Sequence, residues 1–269
     1  MIEFRVLGSL EVVDGDRPVP LGPPKQRALL AMLLIHRGEP VSSDLLIDAL
    51  WGETVPPSGV KLVQGYVSNL RKVLGDGLLV TRGRGYLLRV EDGQVDVDRF
   101  GALLAEGRRA LTDGDARAAS ERLGEALGLW RGPALADFAY ETFAQPEIAR
   151  LEEARLSALE DRIDAELKLG EHTRLVGELE ALVREHPARE RLRMQLMLAL
   201  YRSGRQADAL AAYRDAQGWL RDELGLKPGR ELRSSSERSW HRTQRLTCDG
   251  WTAARARAGW VLAAVAAAS

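Results

Sequence analysis

Lys61, Gln64, Gly65, Ser68, Asn69 and Lys72 recur at steps of one and three within "GVKLVQGYVSNLRKVLG", residues 59–75. At 100° per residue they share about 140° of one helical face. That face carries no acid and no large aliphatic side chain. Its chemistry suits a nucleic-acid duplex. Lysine neutralises phosphate, the carboxamides of Gln64 and Asn69 offer a paired donor and acceptor to adenine in the major groove, Ser68 can contact either, and Gly65 lets the helix axis come close. The opposite side, with Val60, Val63, Val67, Leu70 and Leu74 inside about 80°, is expected to be core.

Local charge points the same way. Residues 55–90 hold Lys61, Arg71, Lys72, Arg82, Arg84 and Arg89 against Asp76, a formal +5 in a chain whose total is -1. Arg82 and Arg84 lie in "TRGRGY", where the glycines permit a tight hairpin and the guanidinium groups can reach a flanking phosphate or a minor groove.

These residues need a scaffold, and the surrounding sequence supplies the signals for one. Ile2, Phe4 and Val6 alternate with polar residues, and "LEVV", a turn at residues 14–16 and "RPVPL" complete a small antiparallel meander. "LGPPKQRALLAMLLIHRG" follows as a first helix, with prolines in its first turn and an apolar stripe of Leu29, Leu30, Leu33 and Leu34. Ser42 or Ser43 caps "DLLIDALWG", whose apolar face is Leu45, Leu46, Ala49 and Leu50. After the proline-bearing loop "ETVPPS", Ser58 is placed to cap the basic helix, and "LLVTRGRGYLLRV" reads as a strand hairpin. This order is that of a winged helix.

The turn-rich, acidic "EDGQVDVDRF" puts a boundary near Gly93. Helices are then expected over about 97–112, 115–130, 144–169, 171–186, 188–203 and 205–224. Gly170 and Gly204 stand 34 residues apart, the period of tetratricopeptide helix pairs. Five, nine and twelve residues after Gly114, Gly170 and Gly204 come Ala119, Leu123 and Ala126; Leu175, Leu179 and Leu182; and Ala209, Tyr213 and Ala216. Small residues let helices approach and larger ones fill the space between, so stacked pairs bury what one pair cannot. The expected fold class is mainly α with a small β component, a winged helix followed by an all-α tetratricopeptide-like domain.

Together, "PPSGVKLVQGYVSNLRKVLG", "LLVTRGRGYLL" and, further on, "ALAAYRDAQGWLRDELGLKPGREL" resemble the SARP activators of antibiotic pathways. These join an OmpR/PhoB-type winged helix to a bacterial transcriptional activation domain. The resemblance assigns residues 1–92 to the first and 97–232 to the second. It implies that Gln64, Gly65 and Asn69 face bases, that Lys61, Ser68, Arg71 and Lys72 hold phosphate, and that Arg82 enters or borders the minor groove. It also implies that the loop with Trp51, Glu53 and Thr54 approaches RNA polymerase. The expected protein is a cytoplasmic, non-enzymatic activator of a secondary-metabolite gene cluster, binding tandem direct repeats of double-stranded DNA as a cooperative homo-oligomer and recruiting RNA polymerase holoenzyme. The competing reading is a tetratricopeptide-like adaptor whose winged helix docks protein.

Other chemistry finds little support. A single cysteine, Cys248, gives no disulfide framework or multi-cysteine metal site, and His36, His172, His186 and His241 show no ligand spacing, so neither cofactor nor metal is expected. "GPPKQR" lacks the lysine and hydroxyl pair of a phosphate loop, and "RGRGYLL" lacks the third glycine of a dinucleotide fingerprint. Neither a secretory signal nor a receiver ahead of the winged helix is expected, and no apolar run reaches the roughly 20 residues of a membrane span. Residues 233–269 depart from the family, with three of the six tryptophans and an arginine-rich character. A shifted reading frame or truncation, a disordered basic tail and a short docking helix all fit them.

Overall fold

The alternation at the start of the chain folds, in this computed structural model, as an antiparallel meander of β1 (Ile2–Arg5), β2 (Glu11–Asp14) and β3 (Arg17–Pro18). The structure describes residues 2–75, 77–225 and 227. Phe4 pairs with Val12, and both are buried. α1 (Pro24–Ile35) starts on proline, whose fixed φ suits a first helical turn. Every residue from Ala28 to Leu34 is buried, a wider burial than the expected leucine stripe, because α1 is the hub around which other elements pack.

Ser42 caps α2 (Ser43–Trp51), its hydroxyl accepting from the Leu45 N–H at 3.1 Å. The inward face is Leu46, Ile47 and Leu50; Leu45, expected there, is 45% exposed. The reason is a strand too short to signal itself. β4 (Val41–Ser42) pairs with β6 (Gly85–Leu88), which also pairs with β5 (Leu79–Arg82), and this fixes the chain entering α2. α3 (Gly59–Leu74) lies between α2 and β5 in sequence and packs against α1, α2 and β5.

Backbone hydrogen bonds cross the turn-rich stretch near Gly93. The Phe4 N–H donates to the Gln94 carbonyl at 2.8 Å, and Phe4 bridges Val95 in parallel. Asp96 opens α4 (Asp96–Asp113) and accepts from the N–H groups of Val6 and Leu7 at 2.9–3.0 Å. Beyond α5 (Ala116–Gly128), the N–H groups of Arg131 and Leu135 donate to the Leu7 and Val6 carbonyls at 2.8 and 2.9 Å. Backbone groups over the β1–β2 turn are thus satisfied by residues some 90 to 130 positions away. By contacts the chain divides later, within α6 (Gln145–Leu169), into a unit ending at Ala165 and another starting at Glu166.

In the first unit α4 and α5 pack so closely that a Cβ on Gly107 would stand 2.6 Å from Leu123 Cγ. In the second, α7 (His172–Glu185), α8 (Glu190–Arg202) and α9 (Gln206–Leu224) pack in succession. Gly114, Gly170 and Gly204 all have positive φ between 81° and 93°, a conformation glycine adopts without strain. Of the nine repeat positions read from the sequence, seven are buried and Leu182 and Tyr213 are half-buried. His172 begins α7; burial first, then the charge of Arg202, push its imidazole below the ordinary value. Among the described residues no helix is long and apolar enough to cross a membrane. Residues 233–269, with Cys248 and His241, lie outside the described residues.

Candidate nucleic-acid interface

α3 is amphipathic as its spacing demands. Val63, Val67, Leu70 and Leu74 are each no more than 2% exposed. Val60 is not part of this face: it is 53% exposed, and the buried arc narrows to about 60°, which leaves Val60 on the flank beside Gln64. Ser58 stands at the N-cap but makes no side-chain capping bond, so the first turn is held instead by its carbonyl accepting from the Leu62 N–H at 2.9 Å.

On the other side Lys61, Gln64, Gly65, Ser68, Asn69 and Lys72 are all exposed. A Cβ on Gly65 would meet nothing within 4 Å. Among the described residues the side chains of Lys61, Lys72, Arg82 and Arg84 have no hydrogen-bond or ion-pair partner. No carboxylate among the described residues compensates their charge, the arrangement a polyanion binds by displacing counterions.

Arg71 is placed differently from the other cations. Its Nε donates to the Leu79 carbonyl and a terminal nitrogen donates to Thr81 Oγ1, both at 2.8 Å. Its guanidinium ties β5 to α3 rather than standing free on the polar face. The hairpin tip is Gly83, with φ 58°, and Arg84, whose carbonyl accepts from Ser43 N–H and Oγ at 3.0 and 2.9 Å. The wing is thus tied to α3 through β5 and to the start of α2 through its tip.

The α2–α3 loop is anchored by Trp51, half-buried and stacked on Tyr66 with ring centroids 6.5 Å apart. Thr54 donates through its hydroxyl to the Trp51 carbonyl at 3.3 Å, and Glu53 and Thr54 are exposed. Val55, 46% exposed, continues that surface.

One residue of the site was not singled out in the sequence. Gln26 is 3% exposed, its Nε2 donates to the Leu21 carbonyl at 2.9 Å, and its Oε1 accepts from Asn69 Nδ2 at 3.2 Å. The available signal was a lone carboxamide at the edge of the apolar run of α1.

The chain is similar in sequence and fold to known proteins. The family described as bacterial transcriptional activator domain matches residues 95–238, and that described as transcriptional regulatory protein, C terminal, matches residues 16–88. Regulatory protein AfsR of Streptomyces griseus is 43% identical over 237 residues, covering 88% of this chain and 24% of AfsR. Regulatory protein DnrI of Streptomyces peucetius is 37% identical over 242 residues, covering 86% of this chain and 89% of DnrI. The solved structure of Mycobacterium tuberculosis EmbR in complex with a low-affinity phosphopeptide superposes with a TM-score of 0.85 at 42% identity, covering 90% of this chain and 65% of that one. The chain thus spans about a quarter of AfsR and two thirds of the EmbR chain.

Proposed function

We infer the function from a family premise: the chain belongs to the SARP-type transcriptional regulators, which join an OmpR/PhoB-type regulatory domain to a bacterial transcriptional activator domain. It is a sequence-specific activator that seats α3 in the major groove of double-stranded DNA. Gln64, Gly65 and Asn69 face bases, Lys61, Ser68 and Lys72 hold phosphate, and Arg82 and Arg84 reach a flanking phosphate or the minor groove. Arg71, given to phosphate by the family resemblance, instead sets the position of the wing. The protein occupies tandem direct repeats as a cooperative, head-to-tail homo-oligomer in the cytoplasm. Its α2–α3 loop, anchored by Trp51 and presenting Glu53 and Thr54, meets RNA polymerase holoenzyme at promoters of a secondary-metabolite gene cluster.

The observation that carries this reading is the exposed, acid-free face of α3 beside wing arginines that no carboxylate of the described chain neutralises. It is tested by titrating promoter DNA at two salt concentrations, with and without competitor, and by footprinting. Lys61→Ala and Arg82→Ala should weaken every sequence and each flatten the salt slope by about one. Asn69→Ala should cost about 1 to 3 kcal/mol on the preferred site alone. Gly65→Ala separates fold from function. Alanine has open space there and a better helix propensity, so α3 should gain up to about 1 kcal/mol in urea unfolding while DNA affinity falls. Weak binding that competitor abolishes, with no change in any variant, would mean the surface docks protein.

A further inference from the structure

We propose that Gln26 is a positioning residue that fixes which way the Asn69 carboxamide reads DNA, an inference that rests on Asn69 facing bases. A carboxamide presents an acceptor on one side and a donor on the other, and a half-turn exchanges them. Here the exchange is blocked by a relay that starts at backbone. The Leu21 carbonyl only accepts, so the Gln26 amide must turn its nitrogen toward it, at 2.9 Å. Gln26 Oε1 then faces Asn69 and also only accepts, so Asn69 must offer its nitrogen, at 3.2 Å.

A reversed Asn69 would set two carbonyl oxygens against each other beside a side chain that is 3% exposed. The Gln26 oxygen, on a buried side chain, would be left without its hydrogen, which is costly. The seat of Gln26 is itself specified. Gly22, with φ +77°, leaves room where a Cβ would lie 2.9 Å from Gln26 Nε2.

The consequence is a fixed polarity at the exposed end. Asn69 retains Oδ1 as acceptor and one Nδ2 hydrogen as donor. Adenine offers the matching pair in the major groove, an N6 amino donor and an N7 acceptor. Guanine offers two acceptors, O6 and N7, and can satisfy only the donor half. Gln26, which does not reach the DNA, therefore sets the preference for adenine over guanine at one base pair.

The test uses the full chain and an operator scanned one base pair at a time. Asn69→Ala first identifies the pair at which preference is lost. Gln26→Met keeps the length of the side chain and removes its polarity, so it should lower the adenine-to-guanine affinity ratio at that pair about tenfold while leaving the salt slope and the other positions unchanged. In the Asn69→Ala background, Gln26→Met should change the ratio no further. A purely structural role for Gln26 would weaken all sequences alike, and that outcome, or an unchanged ratio, overturns the proposal. If Asn69→Ala leaves every position unaffected, the base-facing assignment of Asn69 itself fails and takes the proposal with it.

Thermal unfolding checks that Gln26→Met is folded. If it is not, the wild-type protein decides through the nuclear magnetic resonance of its side-chain amides. One Nδ2 hydrogen of Asn69 should exchange slowly with water and its geminal partner fast, and equal fast exchange of both overturns the relay.

Discussion

Asp96→Ala is expected to lower the unfolding free energy of the unit ending at Ala165 by about 3 to 5 kcal/mol, measured by urea unfolding of the full chain. The Asp96 carboxylate accepts from Val6 N–H at 2.9 and 3.0 Å and from Leu7 N–H at 3.0 Å, and Arg131 stands 3.4 Å away. Its side chain is 4% exposed, so water cannot replace it for the two backbone donors. Each buried donor left unmatched costs about 1 to 3 kcal/mol. Arg131 fares better because it keeps Glu11 at 2.9 Å. Asp96→Asn should cost less than Asp96→Ala, since the amide oxygen can still accept while the amide nitrogen faces a donor.

The same site carries a pH dependence of definite sign. Burial pushes the Asp96 carboxyl above its ordinary value, against the opposing pull of the Val6 and Leu7 N–H groups and of Arg131. The folded state then holds the proton more tightly than the unfolded chain does. That stabilising difference is complete below the unfolded value of about 3.9 and is lost as pH rises through the raised folded value. Urea midpoints of wild type measured upward from pH 4 should show this decline, and Asp96→Asn should lack it.

The second large effect is expected at Gly85→Ala. A Cβ there would stand 2.1 Å from the Val41 carbonyl oxygen, 2.7 Å from its carbon and 2.9 Å from Ser42 Cα. All three are backbone atoms, so no side chain can swing aside. The β4–β6 pairing of Val41 with Tyr86 and Ser42 with Gly85 must open. A loss of about 3 kcal/mol is expected, at the upper end for overpacking, together with weaker DNA binding as the wing shifts. Gly83→Ala is the control: its Cβ would meet nothing, and φ of 58° leaves only a backbone strain of about 1 to 2 kcal/mol. Equal effects of the two substitutions would show that the steric argument is wrong.

What could be read in the sequence was what local physics writes there. The helix ends just before Gly114, Gly170 and Gly204 follow from a conformation that glycine adopts freely, and the spacing behind each names positions that are buried or half-buried. The acid-free face of α3 was equally legible, because a helix converts spacing directly into a side. Long-range partners leave no such trace. Asp96 sits in a stretch whose composition announces a turn, yet its partners lie about 90 residues earlier. Arg71 has the same charge as Lys72, and only the path of β5 decides that one is spent inside the protein. β4 has two residues, too few for alternation to appear. Gln26 became informative only beside Asn69, 43 positions away.

The guanidinium of Arg71, bonded to both Leu79 and Thr81, makes a rigid calliper of α3 and its hairpin. A calliper with a set gap does not adjust to the object it grips. In the proposed DNA complex, any mismatch in groove width between the two prongs is taken up by bending or twisting the DNA, whose stiffness varies with base sequence. Operator selectivity should therefore extend to base pairs that no side chain reaches, those lying under the space between the prongs.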